Sequence, residues 1–65
     1  MNNTFNKTLE ELLPEMRKGA KVAHYDWDLN EFITIKDGEF YDEKDNLFTL
    51  SPWMLDDSMF GAVEL

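Results

Sequence analysis

The side chains that could carry out chemistry in this chain are sparse, and their spacing does not resemble a catalytic site. The sequence has no cysteine and a single histidine, His24, so only one side chain titrates near neutral pH without a large pKa shift. Nucleophilic catalysis needs a serine, cysteine or lysine beside a general base, and the spacing around His24 indicates no such pair. We expect no enzymatic activity and no cofactor, and we expect His24 to lie at the surface or half-buried.

Carboxylates occur in short groups, but none of the groups has the spacing of a metal site. Residues 42–46 lack the Asp-x-Asp-x-Asp-Gly pattern and the later glutamate of a calcium loop. One histidine without cysteine cannot supply the four ligands of structural zinc. We predict no metal site and interpret the groups as solvated turns or as part of an acidic interaction face. The groups are Asp26/Asp28, Asp42/Glu43/Asp45 and Asp56/Asp57.

Two tryptophans stand beside acidic or turn residues, which indicates partial exposure. Trp27 lies between Asp26 and Asp28, and Trp53 follows Ser51-Pro52. An indole face stacks on a nucleobase, whereas packing in the core or at a subunit interface is the commoner fate of tryptophan. The side chains expected to supply the core are Phe5, Phe32 or Ile33, Phe40, Phe48 and Leu50.

The charge of the chain is strongly asymmetric. Residues 1–25 carry a net charge of +1, residues 26–65 carry −9, and the whole chain carries −8. Such a chain lacks the basic patch that binds duplex nucleic acid and would be repelled by anionic membranes. It could be attracted to a basic surface on another protein, or the acidity could serve solubility alone. The acidic interaction face would consist of Asp26, Asp28, Glu31, Asp42, Glu43 and Asp45.

The length of 65 residues predicts one domain, residues 1–65, with residues 1–4 as a disordered start. A domain this small buries only about 60% of the surface that its unfolded chain exposes. With disulfides and zinc excluded, association into a homo-oligomer is the remaining source of stability. The chain has no apolar stretch of membrane-spanning length and no signal peptide, so we expect a cytoplasmic protein.

An amphipathic helix is predicted near the N-terminus. Thr8 and Glu11 have the spacing of a capping box, and Gly19 can take the left-handed conformation that ends a helix. Pro14 should kink this helix or open a second short turn. The apolar side chains that recur at intervals of three and four are Leu9, Leu12, Leu13 and Met16.

The pattern of the remaining residues predicts short strands separated by turns. Asp37-Gly38 is a two-residue hairpin turn, Asn46 can take a left-handed conformation, and Ser51-Pro52 opens a short helical turn. We predict an α+β fold with one N-terminal helix packed on a small antiparallel sheet of four or five short strands. The apolar runs behind this prediction are residues 22–25, 31–36, 39–41, 47–50 and, as a closing edge strand, 60–65.

A set of residues dispersed over residues 5–65 forms a recognisable pattern: Phe5, Leu9, Leu12, Gly19-Ala20-Lys21-Val22, Trp27, Phe32-Ile33-Thr34-Ile35, Asp37-Gly38, Leu47-Phe48-Thr49-Leu50 and Asp56-Asp57. In these residues the chain resembles the Thoeris anti-defence 2 family of small phage proteins. Residue by residue, Lys21, Trp27 and Asp57 match the family pattern, whereas Ala23 or His24 stands where the family has a basic residue.

The resemblance implies a small α+β oligomer that sequesters a cyclic nucleotide signal of bacterial immunity without cleaving it. Trp27 and Tyr25 would stack on the base, Lys21 and Arg17 would lie near phosphate, and Asp57 would complete the site. The alternative is an acidic inhibitor, of anti-CRISPR or nucleic-acid-mimic type, that blocks a basic groove of a bacterial defence protein through the acidic interaction face.

Overall fold

A computed structural model describes residues 4–64 of the chain. The first helix, α1 (Leu9–Arg17), begins at Thr8, where the predicted capping box is formed. The Glu11 N–H donates to Thr8 Oγ1 at 3.2 Å, and the Thr8 N–H donates to Glu11 Oε1 at 3.0 Å. After the helix, Gly19 has a φ of 100°, which is the predicted left-handed conformation.

Pro14 lies inside α1, in one continuous helix, so the alternative of two separate turns is wrong. Proline has no N–H to donate to the carbonyl four residues earlier, which here belongs to Glu10. Both residues are exposed, so water can hydrogen-bond to that carbonyl.

Four antiparallel strands form one sheet in the order β3-β2-β1-β4. The fourth strand pairs with the first, so that Val22 lies opposite Ala62 and His24 lies opposite Phe60. It is the predicted edge strand at residues 60–65, of which Leu65 lies outside the described residues. The strands are β1 (Lys21–His24), β2 (Ile33–Lys36), β3 (Glu39–Asp42) and β4 (Phe60–Val63).

The hairpin between β2 and β3 turns at Asp37-Gly38, as predicted. Both residues have positive φ, 52° and 81°, which a type I′ turn requires. This register places Ile35 opposite Phe40 on the two strands.

A second, short helix, α2 (Pro52–Asp56), follows Ser51 as the sequence predicted. The fold class is therefore confirmed: one N-terminal helix and a small antiparallel sheet in an α+β arrangement. Within residues 4–64, neither helix has the length and apolarity needed to cross a membrane.

The segment at residues 43–50 differs from the prediction. It forms no strand of the sheet, and Leu47 makes only an isolated bridge with Tyr41. The left-handed residue is Asp45, with a φ of 64°, and not Asn46. The cause is Asp42, whose Oδ1 accepts hydrogen bonds from the Lys44 and Asn46 N–H groups at 2.9 Å and so fixes the turn.

The core lies between α1, the centre of the sheet and α2. Of the predicted core residues, only Ile33 is fully buried. Phe40, Phe48 and Leu50 pack against the core from its margin and remain partly exposed, because α1 covers the centre of the sheet and not its β3 edge. The fully buried cluster consists of Leu9, Leu12, Met16, Val22, Ile33, Met54 and Phe60.

The segment before α1 pairs with β4. Lys7 and Phe60 exchange two backbone hydrogen bonds, both at 2.9 Å. Thr4 crosses close to Gly61, where a Cβ atom would lie 1.9 Å from the Thr4 carbonyl oxygen. Thr4 is thus described in contact with the sheet, while the rest of the predicted disordered start lies outside the described residues.

Candidate functional site

Both tryptophans pack against Phe60 at the start of β4. Trp27 lies three residues after the end of β1, in a turn closed by a hydrogen bond from its N–H to the His24 carbonyl at 3.0 Å. Its ring meets Phe60 edge-on at 5.9 Å between centroids, and the Trp53 ring from α2 lies nearly parallel to Phe60 at 6.3 Å. Phe60 therefore fixes two indoles in one neighbourhood, and Trp53 remains 49% exposed.

His24 is buried, with only 6% of its surface exposed, so the expectation of a surface or half-buried histidine is wrong. The imidazole of His24 is buried because it packs edge-on against the ring of Trp53 at 5.2 Å and against the ring of Phe60 at 4.8 Å between centroids. Nδ1 accepts a hydrogen bond from the Asp26 N–H at 3.1 Å, which assigns the ring hydrogen to Nε2. No nucleophilic side chain is hydrogen-bonded to His24 in the described part of the chain.

Asp57 lies beside this histidine. Its Oδ1 is 3.1 Å from His24 Nε2, but the N–H points too far from the oxygen to make an aligned hydrogen bond. The same oxygen accepts a hydrogen bond from the Met59 N–H at 2.7 Å. That backbone donor, followed by the neighbouring imidazole, lowers the pKa of Asp57 below its usual value. Asp57 is therefore engaged within the fold.

A pocket of about 230 Å³ opens next to the two tryptophans, and we call it the acidic pocket. Three carboxylates, Glu31, Asp42 and Glu43, line it together with aromatic rings, and no lysine or arginine does. The aromatic side chains that line it are Trp27, Phe32, Phe48 and Trp53.

Backbone N–H groups orient the three carboxylates of the acidic pocket. Glu31 accepts a hydrogen bond from the Asp28 N–H at 2.9 Å, and Glu43 accepts one from the Phe32 N–H at 3.4 Å. Asp42 accepts the two turn hydrogen bonds already described. Within residues 4–64 none of the three forms an ion pair with a lysine or arginine.

The carboxylates do not converge on a point. Among the described residues, no group of three or more histidine, cysteine, aspartate or glutamate side chains is arranged to hold a metal ion. The acidic pocket therefore offers a region of negative potential with aromatic surfaces, which suits an organic cation better than a coordinated metal.

The residues predicted to bind a ligand are not all brought together. Trp27 lines the acidic pocket, whereas Arg17 lines a separate groove beside α1. Lys21 lies with its ammonium 5.1 Å from the Phe32 ring centroid, in a neighbouring pocket that shares Asp42 and Glu43 with the acidic one. Tyr25 is 63% exposed and meets the Phe5 ring edge-on at 6.2 Å.

The predicted acidic interaction face is brought together in part. Glu31, Asp42 and Glu43 share the acidic pocket. Asp26 and Asp28 are exposed in the turn after β1, on either side of Trp27. Asp45 forms an ion pair with Lys36 and lines the neighbouring pocket instead.

Two aromatic residues of the acidic pocket, Phe32 and Phe48, were not predicted as site residues. Their apolar neighbours indicated core positions, and Phe48 does pack against the core. One feature of the sequence could have indicated that Phe32 lies outside the core. Phe32 precedes Ile33, and the side chains of neighbouring residues in an extended segment point to opposite sides. Phe32 is indeed absent from the buried core cluster, whereas Ile33 belongs to that cluster and also lines the acidic pocket.

Comparison of the chain with protein-family models, with curated proteins and with solved structures finds no significant match. The resemblance to the Thoeris anti-defence 2 family stays a prediction.

Proposed function

We propose that this chain is a non-catalytic binding protein whose acidic pocket docks on a basic groove of another protein. The observation that supports this best is that Glu31, Asp42 and Glu43 share a pocket with Trp27 and Trp53, without a lining cation. The resemblance suggests a bacterial defence protein as the partner, and so a place in the cytoplasm of a bacterial cell.

The acidic pocket has the chemistry that recognises a lysine or arginine side chain. A cation over an indole face gains about 0.5–2 kcal/mol, depending on how far it is desolvated. Carboxylates add charge-assisted hydrogen bonds to the same group. The volume of about 230 Å³ lies below the roughly 300–1,000 Å³ of typical small-molecule sites, so an inserted side chain fits better than a whole nucleotide.

Long-range charge supports the same partner. The −9 carried by residues 26–65 includes all three carboxylates of the acidic pocket. Complementary charge steers encounter and raises the association rate, an effect that salt screens. Binding to a basic partner should therefore weaken steeply as the salt concentration rises.

The proposal can be tested with a short arginine-rich peptide as the probe. Binding would be followed through tryptophan fluorescence, because Trp27 and Trp53 line the acidic pocket. The pocket variant is Glu31→Gln/Asp42→Asn/Glu43→Gln. Its control, Glu15→Gln/Glu39→Gln/Asp56→Asn, removes three exposed carboxylates that do not line the pocket. Both variants change the formal net charge from −8 to −5.

We expect the pocket variant to bind the peptide about tenfold more weakly than the control, a difference of about 1.4 kcal/mol. A peptide with glutamine in place of arginine should not bind. Equal affinities for the two variants, or binding that is insensitive to salt, would contradict the proposal.

Sequestration of a cyclic nucleotide is the second candidate, favoured by the two partly exposed indoles, since bases stack on such surfaces. Its phosphates would need Lys21 or Arg17, which line other concavities, so a second subunit would have to bring a cation to Trp27. The test is thermal unfolding with a panel of cyclic dinucleotides and cyclic ADP-ribose isomers.

A ligand at 100 times its Kd adds about 2.7 kcal/mol of stability, which corresponds to roughly 10–20 °C for a domain of this size. Such a shift without consumption of the ligand would support sequestration. The absence of a shift with every compound would leave the acidic pocket as the working surface.

A further inference from the structure

A larger concavity lies between α1 and the β2–β3 hairpin, and we call it the apolar groove. Its volume is about 670 Å³, and it shares no lining residue with the acidic pocket. Leu55, at its border, is 60% exposed. The apolar side chains that line it are Leu9, Leu13, Ile35, Phe40, Leu50 and Leu55.

The charged residues of the apolar groove have a specific arrangement. Glu10 and Arg17 both line it from α1 and are seven residues apart, which is about two turns or roughly 10.5 Å along the axis. Residues at this spacing share a helix face, and Leu13 lies between them on that face. One end of the exposed helix surface is therefore negative and the other end is positive.

We propose that the apolar groove is covered by a second copy of this chain, related by a two-fold axis that crosses α1 beside Leu13. In a two-fold interface the same patch contacts itself, so the patch must be self-complementary. With the two copies of α1 antiparallel, Glu10 meets the partner's Arg17, and Arg17 meets the partner's Glu10. Leu13 meets its own copy at the centre.

The charge distribution of the whole chain favours this face over others for self-association. Two copies with a net charge of −8 repel one another. The apolar groove holds Glu10 and Asp37 against Arg17, a balance of only −1, whereas the acidic pocket holds three carboxylates and no lysine or arginine. Contact through the apolar groove therefore brings together the less repulsive surface.

The exposed surface of the chain is also large enough for an interface of this kind. A standard interface buries about 800 Å² per subunit, roughly a sixth of the 4677 Å² that this chain exposes. The interface would cover the hydrophobic side chains that α1 leaves open, in a domain too small to bury them alone.

Sedimentation equilibrium of the full chain tests the proposal. We expect the wild type to reach twice the 7.7 kDa of one chain as its concentration rises. Arg17→Glu alone and Glu10→Arg alone each place like charges opposite one another twice, so each should raise the dissociation constant at least tenfold. An equal mixture of the two variants restores both opposite-charge contacts in a heterodimer, and association should return.

A second pair of variants tests the apolar part without altering the core. Leu55→Lys places a charge at the border of the apolar groove and should also weaken the dimer. Leu29→Lys adds the same charge at a residue that is 87% exposed and does not line the groove, so it should leave the dimer unchanged.

Three results would overturn the proposal. The first is that the wild type stays monomeric at every concentration. The second is that none of the groove variants weakens the dimer. The third is that Arg17→Glu and Glu10→Arg each weaken the dimer but their equal mixture also stays monomeric. A monomeric wild type would assign the apolar groove to an occupant other than this chain. Circular dichroism of each variant verifies that the helix has formed.

Discussion

At the scale of single residues, the contact between His24 and Asp57 joins β1 to the segment that leads into β4. The imidazole is nine-tenths buried, and the carboxylate holds the Met59 N–H one residue before β4 begins. Asp57, which the resemblance implied as a ligand-binding residue, is held here by contacts within the fold.

Asp57 makes the stability of the protein dependent on acid pH. Its pKa is lowered in the folded state, mainly by the Met59 N–H and then by His24. A lowered folded pKa gives stability that is present above the unfolded value of about 3.9 and is lost as pH falls through the folded value. Asp57→Asn should therefore destabilise the protein at neutral pH and lose that effect in acid, as measured by urea unfolding.

The control for this prediction is Asp56→Asn at the exposed neighbouring position. This variant should show nearly the wild-type free energy of unfolding at both pH values. Equal destabilisation by Asp57→Asn at neutral and acid pH would contradict the assigned role of the carboxylate.

Site residues were predictable only where a local pattern carried the signal. The grouping of Glu31 with Asp42 and Glu43 was anticipated as part of an acidic face, because residues 26–65 carry a net charge of −9. The burial of His24 was not anticipated, since it depends on rings from Trp53 and Phe60, which are distant in sequence. A histidine has no sequence signal for an aromatic surrounding that the fold assembles from remote segments.

At the scale of elements, β4 is held on two sides. Its full length pairs with β1, and its first residue, Phe60, pairs with Lys7. Gly61 allows the second contact, because its missing side chain leaves room for the Thr4 carbonyl.

Gly61→Ala should destabilise the protein. The new Cβ would lie 1.9 Å from a backbone oxygen, so the segment at Thr4 must move away from β4. Such overpacking costs about 1–3 kcal/mol, measurable as a lower midpoint in chemical unfolding. The control is Ala62→Ser at the exposed neighbouring position, and its unfolding midpoint should be close to that of the wild type. If the two variants were equally stable, the close approach would not constrain the fold.

The elements themselves were largely predictable, because each has a local signal. The capping box set the start of α1, Asp37-Gly38 set the hairpin, and Ser51-Pro52 set α2. Residues 47–50 were less predictable: their apolar pattern resembles a strand, but the Asp42 carboxylate fixes the preceding turn and only one bridge forms. Pairing of β1 with β4 has no local signal at all.

At the scale of the whole molecule, the acidic pocket and the apolar groove differ in charge: the acidic pocket is lined by three carboxylates and no lysine or arginine, whereas the apolar groove has a balance of only −1. The acidic pocket and the apolar groove have different lining residues, so the two proposed contacts, with a basic partner and with a second copy, would not compete for the same side chains. The asymmetry was visible in the sequence. The sequence did not predict the acidic pocket and the apolar groove as separate features, because their separation depends on how α1 and the β2–β3 hairpin are placed in the fold.

The proposed self-association predicts a melting temperature that depends on protein concentration. Binding of a second copy to the folded state alone stabilises that state by mass action. The melting temperature of the wild type should therefore rise with protein concentration, while that of Arg17→Glu should stay nearly constant. Calorimetric scans over a series of concentrations would measure this, and an equal rise in both proteins would argue against an interface at Arg17.

The strand order also determines how quickly the molecule can be assembled. The β2–β3 hairpin closes through a two-residue turn, and isolated hairpins form in about 1–10 μs. β1 and β4 can meet only after residues 25–59 have been brought into a closed loop, and contacts so distant in sequence slow folding. Refolding should therefore be limited by the arrival of β4. Until then one edge of β1 is unpaired, and during that interval the chain is most open to misassociation with other chains.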